Sequence, residues 1–132
     1  LKTIICKHCN KSHIPSRGSL GFYCSVKCQQ DFQYKTRIDA WKAGILTKGW
    51  RGKTRALACW LRRYLLEKYD CTCVKCGWNK RHPVDNLPLV EVNHIDGNAE
   101  NCKEDNLEVL CPNCHSMTPN FRRRNAESTR ER

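Results

Sequence analysis

VEVNHIDGNAENCKEDNLEVLCPNCHSMTPN, residues 90–120, decides how the rest of the chain is read. Val90 and Val92 alternate with Glu91 and Asn93, a period of two that predicts a strand running into His94 and Ile95. Asp96-Gly97-Asn98 turns the chain, and a polar loop leads on to Asn106. Leu107–Leu110 is short and apolar and predicts a returning strand. Pro112 suits the first position of a helix, where its missing N–H would have no partner anyway. The stretch reads as a hairpin followed by a helix, a ββα unit with His94 on one arm and His115 in the first helical turn.

A unit this small cannot bury enough apolar surface to hold itself together, so its cysteines carry structural weight. Cys73-x2-Cys76 lies upstream and Cys111-x2-Cys114 downstream, two knuckles that together make a four-thiolate zinc site. Cys71 competes with Cys73, and the two-residue spacing to Cys76 favours Cys73. A pair of disulfides or free buried thiols is the alternative. A second set, Cys6-x2-Cys9 and Cys24-x3-Cys28, flanks a Gly-containing polar loop from Pro15 to Gly21. It reads as another zinc site, of the zinc-ribbon or treble-clef-like kind, in which His8 and His13 are substitute ligands.

At 132 residues, 39% hydrophobic and with 11 cysteines, the chain predicts a small α+β protein of metal-stapled modules rather than one large core. It has no secretory apolar segment and no run of membrane-spanning length, which predicts a cytoplasmic protein with no membrane partner. Reduced thiols in that compartment suit metal better than disulfides. The 24 Lys and Arg against 13 Asp and Glu give a net charge of +11 and favour a polyanionic partner, most often nucleic acid. Charge alone also fits a ribosomal or membrane-surface protein.

Composition divides the chain into an N-terminal finger (1–36), a basic connector and amphipathic helix (37–70), the segment built on the ββα unit (71–121) and a basic tail (122–132). Within the connector, Trp50 flanked by Lys48, Arg51 and Lys53 mixes aromatic and cation, as surfaces that lie on a nucleic-acid backbone or stack on a base do. Trp41 and Trp50 packing on neighbouring elements is the alternative. Thr54–Tyr69 carries Leu57, Trp60, Leu61, Tyr64 and Leu65 at helical spacing and predicts a helix over that range. Arg55, Arg62 and Arg63 fall largely off its apolar stripe, facing solvent or phosphate. Cys59, Cys71 and Cys102 have no assignment, and His82 lies in a polar loop.

With these motifs in view, the texts CVKCGW, LVEVNHIDGN and DNLEVLCPNCHSMTP resemble, in order and spacing, the HNH endonuclease domain of the zinc-containing ββα-metal class. The similarity spans residues 71–121. More loosely, the whole chain resembles the small stand-alone HNH endonucleases of bacteriophages and bacterial genomes, homing endonucleases among them. The resemblance implies a metal-dependent endonuclease that nicks or cuts double-stranded DNA. It makes His94 the general base, His115 a ligand of a catalytic Mg2+ or Mn2+, and Asn106 the residue that holds the site loop and helps orient the base. The family's other metal ligand is a His or Asp immediately before the base, where this chain has Asn93, a departure. Either Asn93 is natural and works through its amide oxygen, or it replaces an aspartate and inactivates the site. Arg51, Lys53, Arg55, Arg62, Arg63, Arg122, Arg123 and Arg124 are the expected DNA contacts of a chain read as a monomer. The competing reading is a zinc-finger DNA-binding protein with a decayed nuclease site, and a third is an RNA- or ribosome-associated zinc protein.

Those residue types suit the chemistry. Phosphodiester hydrolysis needs an activated water, and an imidazole, whose ordinary pKa is about 6.5, can take the water's proton near neutral pH. A divalent cation can stabilise charge on the phosphoryl and leaving oxygens. Magnesium takes few protein ligands, which suits an open two-ligand site.

Overall fold

The computed structural model describes residues 2–124, without the side chain of Arg123. Most of the expected basic tail, residues 125–132, lies outside the described residues. The chain divides into two compact units, residues 1–45 and 46–132.

In the first unit a hairpin of β1 (Ile4–Ile5) and β2 (Ser12–His13) encloses the first knuckle. The Cys6 N–H donates to Lys11 O, and the Asn10 N–H returns to Cys6 O through a left-handed Asn10 at φ 58°. Helix α1 (Val26–Lys42) begins at Ser25, whose hydroxyl accepts the Cys28 N–H at 3.1 Å. That cap satisfies one of the unpaired donors of the first turn and sets Cys24 and Cys28 on either side of the helix start. The helix closes with a Schellman pattern: Gly44 N–H to Trp41 O and Ile45 N–H to Ala40 O, with Gly44 at φ 74°. It runs unbroken through the 36/37 division drawn from composition.

In the second unit β3 (Trp50–Arg51) and β4 (Ala56–Leu57) form a short antiparallel hairpin, followed by α2 (Cys59–Lys68). The helix expected from Thr54 therefore starts five residues later. Arg55 is left-handed at φ 50°, which no helical turn accepts, and Ala56 and Leu57 spend their backbone groups on Arg51 and Trp50 instead. The apolar stripe holds from Leu61 onward: Leu61 and Leu65 are fully buried and Leu66 is buried beside them. Tyr64 Oη and Lys68 Nζ both donate to Glu104 Oε1, each at 2.7 Å, clipping the helix to the turn that precedes the last strand.

That strand, β6 (Leu107–Leu110), pairs antiparallel with β5 (Glu91–His94) in the register Glu91↔Leu110, Val92↔Val109, Asn93↔Glu108 and His94↔Leu107. α3 (Pro112–Ser116) follows at once, with Cys111 as its N-cap and Pro112 at its first position. α2 packs on β6, and α3 on both strands. Val90, Leu107, Val109 and Leu110 are buried between them, while Trp78 packs on the cluster of Cys73, Leu110, Cys111 and Cys114. Among the described residues no helix is long and apolar enough to cross a membrane.

Candidate nuclease cleft and thiol sites

The two knuckle pairs of each unit converge. Cys6, Cys9, Cys24 and Cys28 form one group, and Cys73, Cys76, Cys111 and Cys114 the other, with all four sulfurs of each group within 4.8 Å of one another. Measured pairs are 3.6 Å for Cys9–Cys24, 3.5 Å for Cys24–Cys28 and 3.6 Å for Cys76–Cys111. A tetrahedron with Zn–S bonds of about 2.3 Å sets its sulfurs about 3.8 Å apart, so both groups could hold zinc. Cys71 is not in either group.

The thiols share protons unevenly. In the first group the N–H groups of Cys9, Cys24 and His8 lower Cys6 to about 6, while the neighbouring sulfurs of Cys28 and Cys9 push Cys24 up to about 12. Cys73 is lowered to about 6: burial raises it, but the N–H groups of Cys111, Cys76 and Lys75 outweigh that. Cys114 is pushed up to about 12, first by Cys111. Backbone amides thus favour a first thiolate in each group, at Cys6 and at Cys73, while Cys24 and Cys114 would need a bound cation to ionise.

The histidines meet on the other side of the same hairpin unit. His94 ends β5, 7% exposed, and His115 lies on α3; with Glu91, Asn93 and Phe121 they line one cleft of about 470 Å3. Asn93 is buried and its amide Nδ2 donates to Glu108 Oε1 at 2.9 Å, directly across the ladder. His94 Nε2 lies 3.8 Å from the buried Cys102 thiol, which burial pushes up and so keeps protonated.

Asn106 is the knot of the loop behind this cleft. Its Oδ1 accepts the Asp96 N–H at 3.0 Å, and its Nδ2 donates to Asp96 Oδ1 at 2.9 Å and to Asn101 O at 2.8 Å. Its carbonyl also accepts the Ile95 N–H, the residue next to His94. The Asp96 carboxyl is desolvated, which would raise it, yet bonds from Asn101, the Asn98 N–H and Asn106 bring it below its usual range.

Three cleft residues escaped the sequence reading. Glu91 Oε2 accepts a hydrogen bond from His115 Nδ1. In a neutral imidazole, a carboxylate at Nδ1 places the proton there and leaves Nε2 as the lone-pair nitrogen. The signal was present: in a strand of period two, Glu91 shares a face with Asn93. Phe121 meets the His115 ring edge-on at 5.1 Å, and Asn120 Nδ2 donates to Ile95 O at 2.9 Å, folding the chain back over the cleft. No sequence pattern signalled these two.

The expected DNA contacts are dispersed. Arg51 and Lys53 are exposed on β3 and its turn, whereas Arg55 is half-buried and ion-paired with Glu100 at 2.6 Å. Arg63 pairs with Glu67 at 2.8 Å, and Arg62 Nη2 reaches Val90 O at 3.5 Å. Arg122 lies over the Phe121 ring at 4.9 Å and lines the cleft; Arg124 is exposed. The Arg123 side chain is outside the described residues.

Short sheets, three α-helices among the described residues and two four-cysteine groups that could hold zinc define a small α+β protein, with β5, β6 and α3 as a ββα unit. Over 74 residues, 54% of its length, the chain is 32% identical to a probable HNH endonuclease of Lactococcus phage SK1 and covers 77% of that protein. Over 60 residues, 46% of its length, it is 40% identical to the H-N-H endonuclease F-TflIV of Escherichia phage T5, of which it spans only 26%. The chain belongs to the HNH endonuclease family. No family model matches it, and no solved structure does.

Proposed function

We propose that this chain is a metal-dependent DNA endonuclease that hydrolyses phosphodiester bonds of the duplex at the cleft between β5 and α3. The observation that carries the reading is the convergence of His94, Asn93, Glu91 and His115 in one cleft, beside a four-cysteine group that staples the elements bearing them. His94 takes the proton of the attacking water. Asn93 Oδ1 and His115 Nε2 would hold a Mg2+ or Mn2+: the amide oxygen suits either ion, and the imidazole favours Mn2+. When bound, the cation supplies charge stabilisation at the phosphoryl and leaving oxygens. Glu91 holds the His115 ring with Nε2 presented to the cleft. Asn106 keeps the loop after His94 in place and so orients the base. The two cysteine groups bind zinc as structural ions, and the basic segments grip the phosphate backbone.

The test is conversion of supercoiled plasmid to open-circle and linear forms in Mg2+ or Mn2+, comparing the chain with Asn93→Asp and His94→Ala. Cleavage that EDTA stops and that His94→Ala abolishes is expected. If Asn93→Asp cuts and the parent barely does, Asn93 is a disabled ligand; equal rates make it a working one. Absence of cutting by all three while zinc and fold persist leaves a DNA-binding protein with a decayed site.

A further inference from the structure

We propose that the β3–β4 hairpin is a rigid phosphate-gripping arm that holds duplex DNA beside the cleft, with Arg51 and Lys53 as the contacts and Arg55 as a positioning strut. This rests on the DNA reading above and deepens it. In sequence the segment looks like a flexible basic linker. Two-residue strands are too short to stand alone in water, so the hairpin must be buttressed. Three buttresses hold it. The Ala58 N–H donates to Gly49 O at 2.8 Å, closing the stem. Arg55 Nε is paired with Glu100 Oε1 at 2.6 Å. Gly49 is buried so tightly that a Cβ there would lie 2.5 Å from Leu61 Cδ2 and 2.7 Å from Cys102 Cβ.

Those contacts tie the arm to the cleft. Cys102 is the thiol 3.8 Å from His94 Nε2, and Glu100 follows Ala99, which lines the cleft. The arm therefore stands on the outer side of the loop whose inner side faces the base. Residues 46–58 carry four basic groups and no acid, namely Lys48, Arg51, Lys53 and Arg55 around Trp50.

Their roles divide. Lys48 and Arg55 lie over the Trp50 ring at 4.3 and 5.5 Å, and Arg55 is also committed to Glu100. Arg51 and Lys53 are exposed on the strand and turn. A ring occupied by cations is a poor stacking platform for an unpaired base, which favours backbone contact on a duplex over single-strand binding. An arm already ordered loses little entropy on contact and fixes which phosphate reaches the cleft.

The test uses the zinc-loaded full chain carrying His94→Ala and a labelled duplex, with binding followed by fluorescence anisotropy across salt. Removing two phosphate contacts with Arg51→Ala and Lys53→Ala should lower the slope of log affinity against log salt by about 1.8, at about 0.9 per contact. The charge-keeping Arg51→Lys, Lys53→Arg pair should retain the slope, with zinc content equal in all variants. An unchanged slope in the alanine pair overturns the arm, as does tighter competition by single-stranded DNA or RNA than by duplex. A lowered slope, together with no plasmid cutting by the chain that keeps His94, upholds the arm and sinks the endonuclease reading. No duplex binding by the His94→Ala parent at low salt sinks both.

Discussion

Asn106 shows how much a single amide can hold. It spends both side-chain atoms and its carbonyl on Asp96, Asn101 and Ile95, and it is buried while doing so. Asn106→Ala would leave the Asp96 N–H and Asn101 O without that partner, at roughly 1–3 kcal/mol for each buried group left unsatisfied. The expected outcome is an unfolding free energy in urea lowered by about 2 kcal/mol or more, an Asp96 carboxyl returned toward its ordinary range, and cleavage lost because His94 is the next residue but one before Asp96. His94, Asn106 and His115 were legible as an ordered set of side chains on predicted elements. Glu91 was legible only in hindsight, because its partner lies 24 positions away and nothing local distinguishes it from any solvent-facing strand carboxylate.

Strand pairing gives position 93 a role besides the proposed metal ligation. Asn93 faces Glu108 across the ladder and donates to it. Asn93→Asp would replace that bond with two like charges directly opposite, a destabilising arrangement. Without divalent cation the variant should lose about 1–2 kcal/mol in urea unfolding, with Mg2+ recovering part of it if the cleft binds the ion. A variant as stable as the parent without cation would mean that the cross-strand bond contributes nothing. The elements themselves were legible to different degrees. β5, β6 and the Pro112 start follow from alternation and from a missing N–H. The start of α2 was not legible, because a left-handed Arg55 and the pairing of Ala56 and Leu57 with Arg51 and Trp50 override the helical spacing of Leu57. Tertiary pairing won over local pattern there.

At the scale of the molecule, stability is divided between two units that each contain one four-cysteine group. Small cores such as these would gain much of their folding free energy from a metal held by those groups. Cys9→Ser should therefore strip amide-exchange protection from residues 2–45 while residues 46–124 keep theirs, and Cys114→Ser should do the reverse. Chelation with a strong zinc ligand should remove protection from both. Equal loss everywhere on the single substitutions would show that the units fold as one. The cysteine spacing made both groups legible, but the division at residue 45 was not, because α1 carries no break where the composition changes.

The four residues of β6 join Asn106, at the loop behind the base, to Cys111, a zinc-site candidate and the N-cap of α3. Val74, beside Cys73, donates its N–H to Val109 O in the middle of that strand. The thiol knuckle therefore pins the ladder's register, and a slip of one residue would turn Glu91 and Asn93 away from His115. The four-cysteine group and the histidine cleft share one ruler. A residue inserted anywhere from Asn106 to His115 would throw thiolate corner and histidine cleft out of step at a single stroke.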